Sequence, residues 1–231
     1  MHPGRGAGRS GHPAVRVAVA VAVLMVAVLT VIAVQSHGPA RSDAAVPAGA
    51  VDGGTAFVAG SPRAPVTVDV YEDFQCPVCS RFEAETGGTL AVLAARGTAQ
   101  VRYHPIAVLD RASTDRYSTR ALNAAAVVAD AAGTRAFLAF HDLAFAHQPA
   151  EGSRGLTDAQ LTALAAQAGA DGAAVTHGIT HLRFAEWTRQ VTDDASRAGV
   201  TSTPTVLVDG KALADRTAAG LAAAVAAATR S

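Results

Sequence analysis

In Pro65 to Tyr71 (PVTVDVY), Val66, Val68 and Val70 alternate with Thr67, Asp69 and Tyr71, and the segment then runs through Glu72-Asp73-Phe74-Gln75 straight into Cys76-Pro77-Val78-Cys79. A period of two is that of a strand with one buried face. A helical stretch follows (SRFEAETGGTLAVLAARG), in which Gly87-Gly88 is expected to mark a kink or break. Pro77 suits the first helical turn, where its missing N–H costs nothing. A strand that hands over to a helix at a CxxC pair leaves few folds open, and the pair itself narrows the chemistry.

Cys76 and Cys79 are the only two cysteines of the chain. Read as a structural staple they are poorly spaced, because a cross-link stabilises in proportion to the loop it closes and this loop is minimal. Read as a zinc site they are half of one, and no second CxxC supplies the rest. His37 and His104 stand alone, His177 and His181 are four apart on one helical face, and His141 and His147 match no helical metal spacing. No metal and no cofactor is expected. At a helix N-terminus, by contrast, unpaired N–H groups and the helix dipole favour a thiolate at Cys76. Cys79, one turn further in, is expected to be more buried and able to resolve a mixed disulfide, three residues being a separation that two sulfurs can bridge.

Around this centre the pattern predicts a mixed α/β domain. Thr55 to Ala59 reads as a short edge strand and Gln100 to Ile106 as a strand after the first helix. From about 114 to 198 the spacing turns helical, with breaks near Gly133, Pro149 and Gly169 and a helix start near Asp158. Strand character returns at Thr205 to Val208, Asp209-Gly210 is a hairpin turn leading to Lys211 to Leu213, and Ala218 to Thr229 closes as a helix on the sheet.

The N-terminal part is different in kind. Residues 17–34 hold no charge and one polar side chain, Thr30, and at the helical rise this length is about enough to span a bilayer. Arg5, Arg9 and Arg16 precede it, so that residues 1–16 are expected to stay cytoplasmic. A cleaved signal peptide is the competing reading, but the apolar run is long for one and no small-x-small site follows directly. Residues 35–54, rich in Gly, Pro and Ala, read as a flexible tether, and 55–231 as an extracytoplasmic domain. The formal net charge is zero, which gives no general pull towards nucleic acid.

Two motifs in this order, YEDFQCPVCSRFE (71–83) and GVTSTPTVLVDGK (199–211), flank the helical block, and with them the chain resembles the DsbA-like branch of the thioredoxin superfamily, in particular its anchored Gram-positive and actinobacterial forms. The likeness runs from about 55 to 229. It implies a thioredoxin fold with a helical insertion, preceded by one transmembrane helix. It makes Cys76 and Cys79 the catalytic pair and Pro204 a cis-proline opposite them, with Thr203 before it offering backbone to an extended substrate. Pro77 and Val78 complete the surface that a substrate meets. Many relatives carry a buried acid six residues before the first cysteine; Val70 stands there in this chain, so that proton transfer falls to Asp69, Glu72 or Asp73 or is unassisted. As carboxylates at a strand-to-helix turn, these three are expected to be exposed.

The resemblance implies an extracytoplasmic oxidoreductase that introduces disulfides into unfolded exported proteins with free thiols and is reoxidised by a quinone-linked membrane partner resembling DsbB or the vitamin K epoxide reductase homologues. A reductase or isomerase of the same fold is the alternative within the class. From other classes, a peptide-binding chaperone-like module and a metal-delivery protein stay open.

Overall fold

The computed structural model describes residues 44–230. The apolar run 17–34 and residues 35–43 lie outside the described residues, and no helix among those described is long and apolar enough to cross a membrane.

Strand β1 (Phe57–Ala59) is followed by β2 (Val66–Glu72), helix α1 (Pro77–Ala95) and β3 (Ala99–Pro105). Four helices then intervene: α2 (Tyr117–Ala146), α3 (Asp158–Gln167), α4 (Ala173–Thr180) and α5 (Ala185–Arg197). Strands β4 (Thr205–Val208) and β5 (Lys211–Ala212) and helix α6 (Ala218–Ala228) complete the domain. The five strands lie in the order β1-β3-β2-β4-β5. β2 and β3 run parallel, joined by α1 as a parallel crossover requires, and the other pairings are antiparallel. This is a thioredoxin fold, with α2 to α5 as its helical insertion.

The alternation in β2 extends one step further than its valines. Val66, Val68, Val70 and Glu72 all face inward, while Thr67, Asp69 and Tyr71 are only partly covered. On its other flank β2 meets β4 in the register Val70↔Val206 and Tyr71↔Thr205, which brings the residues just before β4 alongside the exit of β2. Asp209 and Gly210 both adopt positive φ, 47° and 75°, as the tight turn between β4 and β5 demands.

Helix α1 passes unbroken through Gly87-Gly88, where a kink was expected. Glycine weakens a helix by about 1 kcal/mol relative to alanine, and packing of Phe82, Thr86, Leu90 and Ala94 against the core outweighs that cost. The expected break at Gly133 does occur: with φ 80° it interrupts α2, whose first half is buried almost all round, Tyr117 to Ala129 without exception. α3 opens on a capping box between Thr157 and Gln160, the start placed near Asp158.

The segment read as a flexible tether needs correction in its described part, residues 44–54. Val51 bridges Ala56, the Ala48 N–H donates to Asp130 Oδ1 at 3.0 Å, and the indole N–H of Trp187, a buried ring, donates to the Gly54 carbonyl at 2.7 Å. Gly, Pro and Ala signal backbone freedom, but a buried indole needs an acceptor, and this segment provides it.

Asn123, fully buried in α2, fastens α2 to the α4–α5 junction: its amide donates to the carbonyls of Gly178 and Ile179 at 3.2 and 3.3 Å and accepts from the Phe184 N–H at 2.8 Å. Asn123→Ala strands these groups without water, and we expect the urea midpoint of the domain to fall by an amount equivalent to about 2–4 kcal/mol. A loss below 0.5 kcal/mol would show that the insertion is held by apolar packing alone.

Candidate active site

Because β2 delivers the chain to the end of the sheet, the residues after it must turn at once into α1. Asp73 makes the turn: fully buried, its Oδ1 accepts from the Gln75 N–H at 2.9 Å and from the Ser118 hydroxyl at 2.6 Å, and its Oδ2 accepts from the Leu109 N–H at 2.9 Å. Gln148, beyond α2, donates through Nε2 to the carbonyls of Phe74 and Cys76, both at 3.0 Å. The loop is thereby held from β2, from α2 and from the segment after it. Cys76 becomes the N-cap of α1, with Pro77 as the first helical residue.

The two sulfurs stand in opposite surroundings. Cys79 is wholly buried and Cys76 is 5% exposed, at the helix end beside Val78, which is 42% exposed. The Cys79 N–H donates to Cys76 Sγ at 3.4 Å, and Cys76 Sγ lies 3.5 Å from the Thr203 carbonyl oxygen, to which it donates when it is protonated. The Thr203–Pro204 peptide bond is cis, and Pro204 is buried. Both cysteines are free thiols.

A hydrogen bond from the Cys79 thiol lowers the Cys76 pKa to about 6, aided by the Thr203 side chain and by the N–H groups of Cys79 and Val78, against the opposing effect of burial. Burial pushes Cys79 far above the ordinary thiol range, and donating that hydrogen bond and facing the charge of Glu72 push it further. One proton is thus shared unequally: Cys76 carries the charge and Cys79 keeps the hydrogen. A stabilised thiolate leaves readily from a disulfide, so this arrangement can attack, form a mixed disulfide, and release it.

The carboxylates singled out from the sequence separate here. Asp69 is on the opposite face of β2 from Glu72, bonded to His104 at 3.0 Å. Glu72 and Asp73, expected to be exposed, are 2% and 0% exposed. Glu72 is buried because it is the inward residue of the next β2 repeat, two positions closer to the cysteines than Val70; Asp73 is buried because it organises the turn. Burial raises the Asp73 pKa to about 6 despite its three donors, with the Cys76 charge adding to the effect. Sequence reasoning did not single out Gln148 or Ser118, which stand in no motif, or Glu83, which closes the first motif, and it named His141 only as matching no helical metal spacing. His141 Nε2 lies 2.8 Å from Glu72 Oε2.

A cysteine pair at the mouth of the first helix, set against the loop that enters β4, defines a thioredoxin-fold protein disulfide oxidoreductase. The family model described as Thioredoxin matches residues 52–227, and the chain belongs to that family. Within it the chain is a DsbA-like enzyme: it is similar to the disulfide bond oxidoreductase DsbG of Mycobacterium tuberculosis, with 33% identity and a TM-score of 0.68 over 77% of this chain and 89% of that one. Reduced DsbA of the same organism is 31% identical, with a TM-score of 0.64 over 76% of this chain and 98% of the other. The serine/threonine-protein kinase PknE of Mycobacterium tuberculosis is 33% identical over 120 residues, half of this chain, which spans only 21% of the kinase.

The unequal sharing of the proton is open to direct titration. The thiolate absorbance of the reduced protein should rise through a midpoint near pH 6, with Cys76 protonated and slow to alkylate below it and reactive above it. In Cys79→Ala the largest stabilising contact is gone, and the midpoint should move up towards the ordinary value of 9.0. An unmoved midpoint would place the stabilisation in the helix end alone.

Proposed function

We propose that this protein introduces disulfides into unfolded exported proteins, working outside the cytoplasmic membrane with residues 17–34 as its anchor and residues 1–16 in the cytoplasm. The observation that carries the direction is the contrast between the two sulfurs: a stabilised Cys76 thiolate favours the reduced enzyme, and a disulfide whose reduced form is favoured is an oxidant.

In the oxidised enzyme a substrate thiolate attacks Cys76 Sγ, the less buried of the two sulfurs, and the bond to Cys79 breaks. Cys79 takes up a proton, as its buried site requires. A second substrate thiolate then attacks the substrate sulfur of the mixed disulfide, and Cys76 leaves as a thiolate. The substrate gives up two electrons and two protons and gains its bridge; the enzyme holds the electrons as two reduced cysteines. Thr203, at the mouth of the site beside Pro204, offers backbone for an extended substrate strand, and Pro77 and Val78 form the other wall. Of the three acids, Glu72 is the one whose charge bears on Cys79 and Asp73 the one coupled to Cys76. We assign them the proton traffic of the two sulfurs, and none to Asp69. Reoxidation falls to a quinone-linked membrane protein of the DsbB or vitamin K epoxide reductase type, which an anchored enzyme meets at high effective concentration.

The equilibrium of the pair against glutathione tests the direction: a potential nearer about −120 mV than about −270 mV is expected of an oxidase. A value near the lower figure would make the protein a reductase. In parallel, Cys79→Ser should accumulate mixed disulfides with reduced, unfolded protein and Cys76→Ser none. Trapping through Cys79 instead would reverse the roles of the two sulfurs.

A further inference from the structure

Apart from the cysteine pair, Glu72 of β2, Glu83 of α1 and His141 of α2 converge so that one donor atom of each lies within 4.8 Å of the others. Glu72 and His141 are 2% and 1% exposed. His141 Nε2 and Glu72 Oε2 are 2.8 Å apart, while the remaining oxygens, Glu72 Oε1 and Glu83 Oε1, are buried without a hydrogen-bond partner. Glu83 is half-buried, and His141 beside Glu72 is the one cationic group of the cluster, so two carboxylate oxygens are left that a further cation would satisfy.

We propose that Glu72, Glu83 and His141 form a binding site for one borderline divalent cation, with Zn²⁺ the ion whose chemistry fits best. Two carboxylates and an imidazole are a donor set for such an ion, with bonds of about 2.0–2.2 Å that put neighbouring ligands about 3 Å apart. The Glu72–His141 pair already stands at 2.8 Å. Glu83 Oε2 lies against Gly87, 2.9 Å from where a Cβ would stand, so that glycine at this position admits the Glu83 carboxylate to the cluster. The other ring nitrogen of His141 is 3.4 Å from Asp142 Oδ1, the outer carboxylate that typically orients a metal-bound histidine. An open cavity of about 650 Å³, lined by Glu83, Gly87, Tyr103 and Asp142, gives the ion a way in. On entry the ion displaces the proton held between His141 and Glu72, which leaves to solvent together with any proton on Glu83.

The site needs neither sulfur but shares Glu72 with the proposed proton path, so it is tested by zinc binding and not by disulfide exchange. Because a reduced CxxC pair can itself bind zinc, the full-length chain in detergent is first oxidised, stripped with chelator, and titrated with Zn²⁺ against a chromophoric competitor. One Zn²⁺ per chain and a raised melting temperature are expected. Glu83→Gln should weaken binding at least tenfold, and Asp142→Ala, at an exposed position that cannot compromise folding, by about tenfold or somewhat less. Absence of zinc on the oxidised wild-type chain, or equal affinity in wild type and both variants, overturns the site.

Discussion

The pairing of β2 on both flanks is the constraint from which the rest follows. Its parallel partner β3 and antiparallel partner β4 fix its register completely, from Val66↔Ala99 on one side to Tyr71↔Thr205 on the other. A strand held in this way cannot slide, because a slip by one residue would turn Val66, Val68 and Val70 out of the core and Thr67, Asp69 and Tyr71 into it. The point where the chain leaves the sheet is therefore set to within a residue. So are the position of Cys76 at the head of α1 and the approach of the Thr203 carbonyl to its sulfur at 3.5 Å.

Once the strand exit is fixed, chemistry comes from a difference in solvation over a single helical turn. The first sulfur sits among N–H groups that welcome a charge; the second is enclosed by apolar side chains and faces a carboxylate. Neither effect is unusual alone. In combination they make one thiol a good leaving group and the other a reluctant anion, which is the asymmetry that directional exchange requires. Asp73 and Gln148 serve the same end indirectly: they tie the turn to the insertion, so that the helical block, far from being an appendage, is bonded to the Asp73 side chain through Ser118 and to the carbonyls of Phe74 and Cys76 through Gln148.

The aromatic packing carries the same connection inward. Phe74, next to the turn, lies edge-on to Phe140 and His141 and close to Phe145, and Phe57 of the edge strand stacks on Phe137 at 4.0 Å. One face of the sheet and one side of α2 thus share a continuous core. Within it, Glu72, Glu83 and His141 are a polar inclusion. Such groups remain buried at a considerable desolvation cost, so they are where a function beyond packing is to be sought.

The sequence by itself determined the strands, the hairpin turn, the placement of the insertion and the cysteine pair at a helix start. Each of these is local: alternation, turn residues and capping act between near neighbours. The burial of Glu72 went against the exposure expected of a turn carboxylate, because the residue continues the inward alternation of Val66, Val68 and Val70. Only the tertiary structure decided that α1 continues through Gly87-Gly88, that residues 44–54 dock under Trp187, and that Gln148, Ser118 and His141 reach back to the turn after β2. The long-range ones depend on contacts between residues 45 to 133 positions apart, where the burial of one side chain selects the partner of another, and no window of sequence contains both.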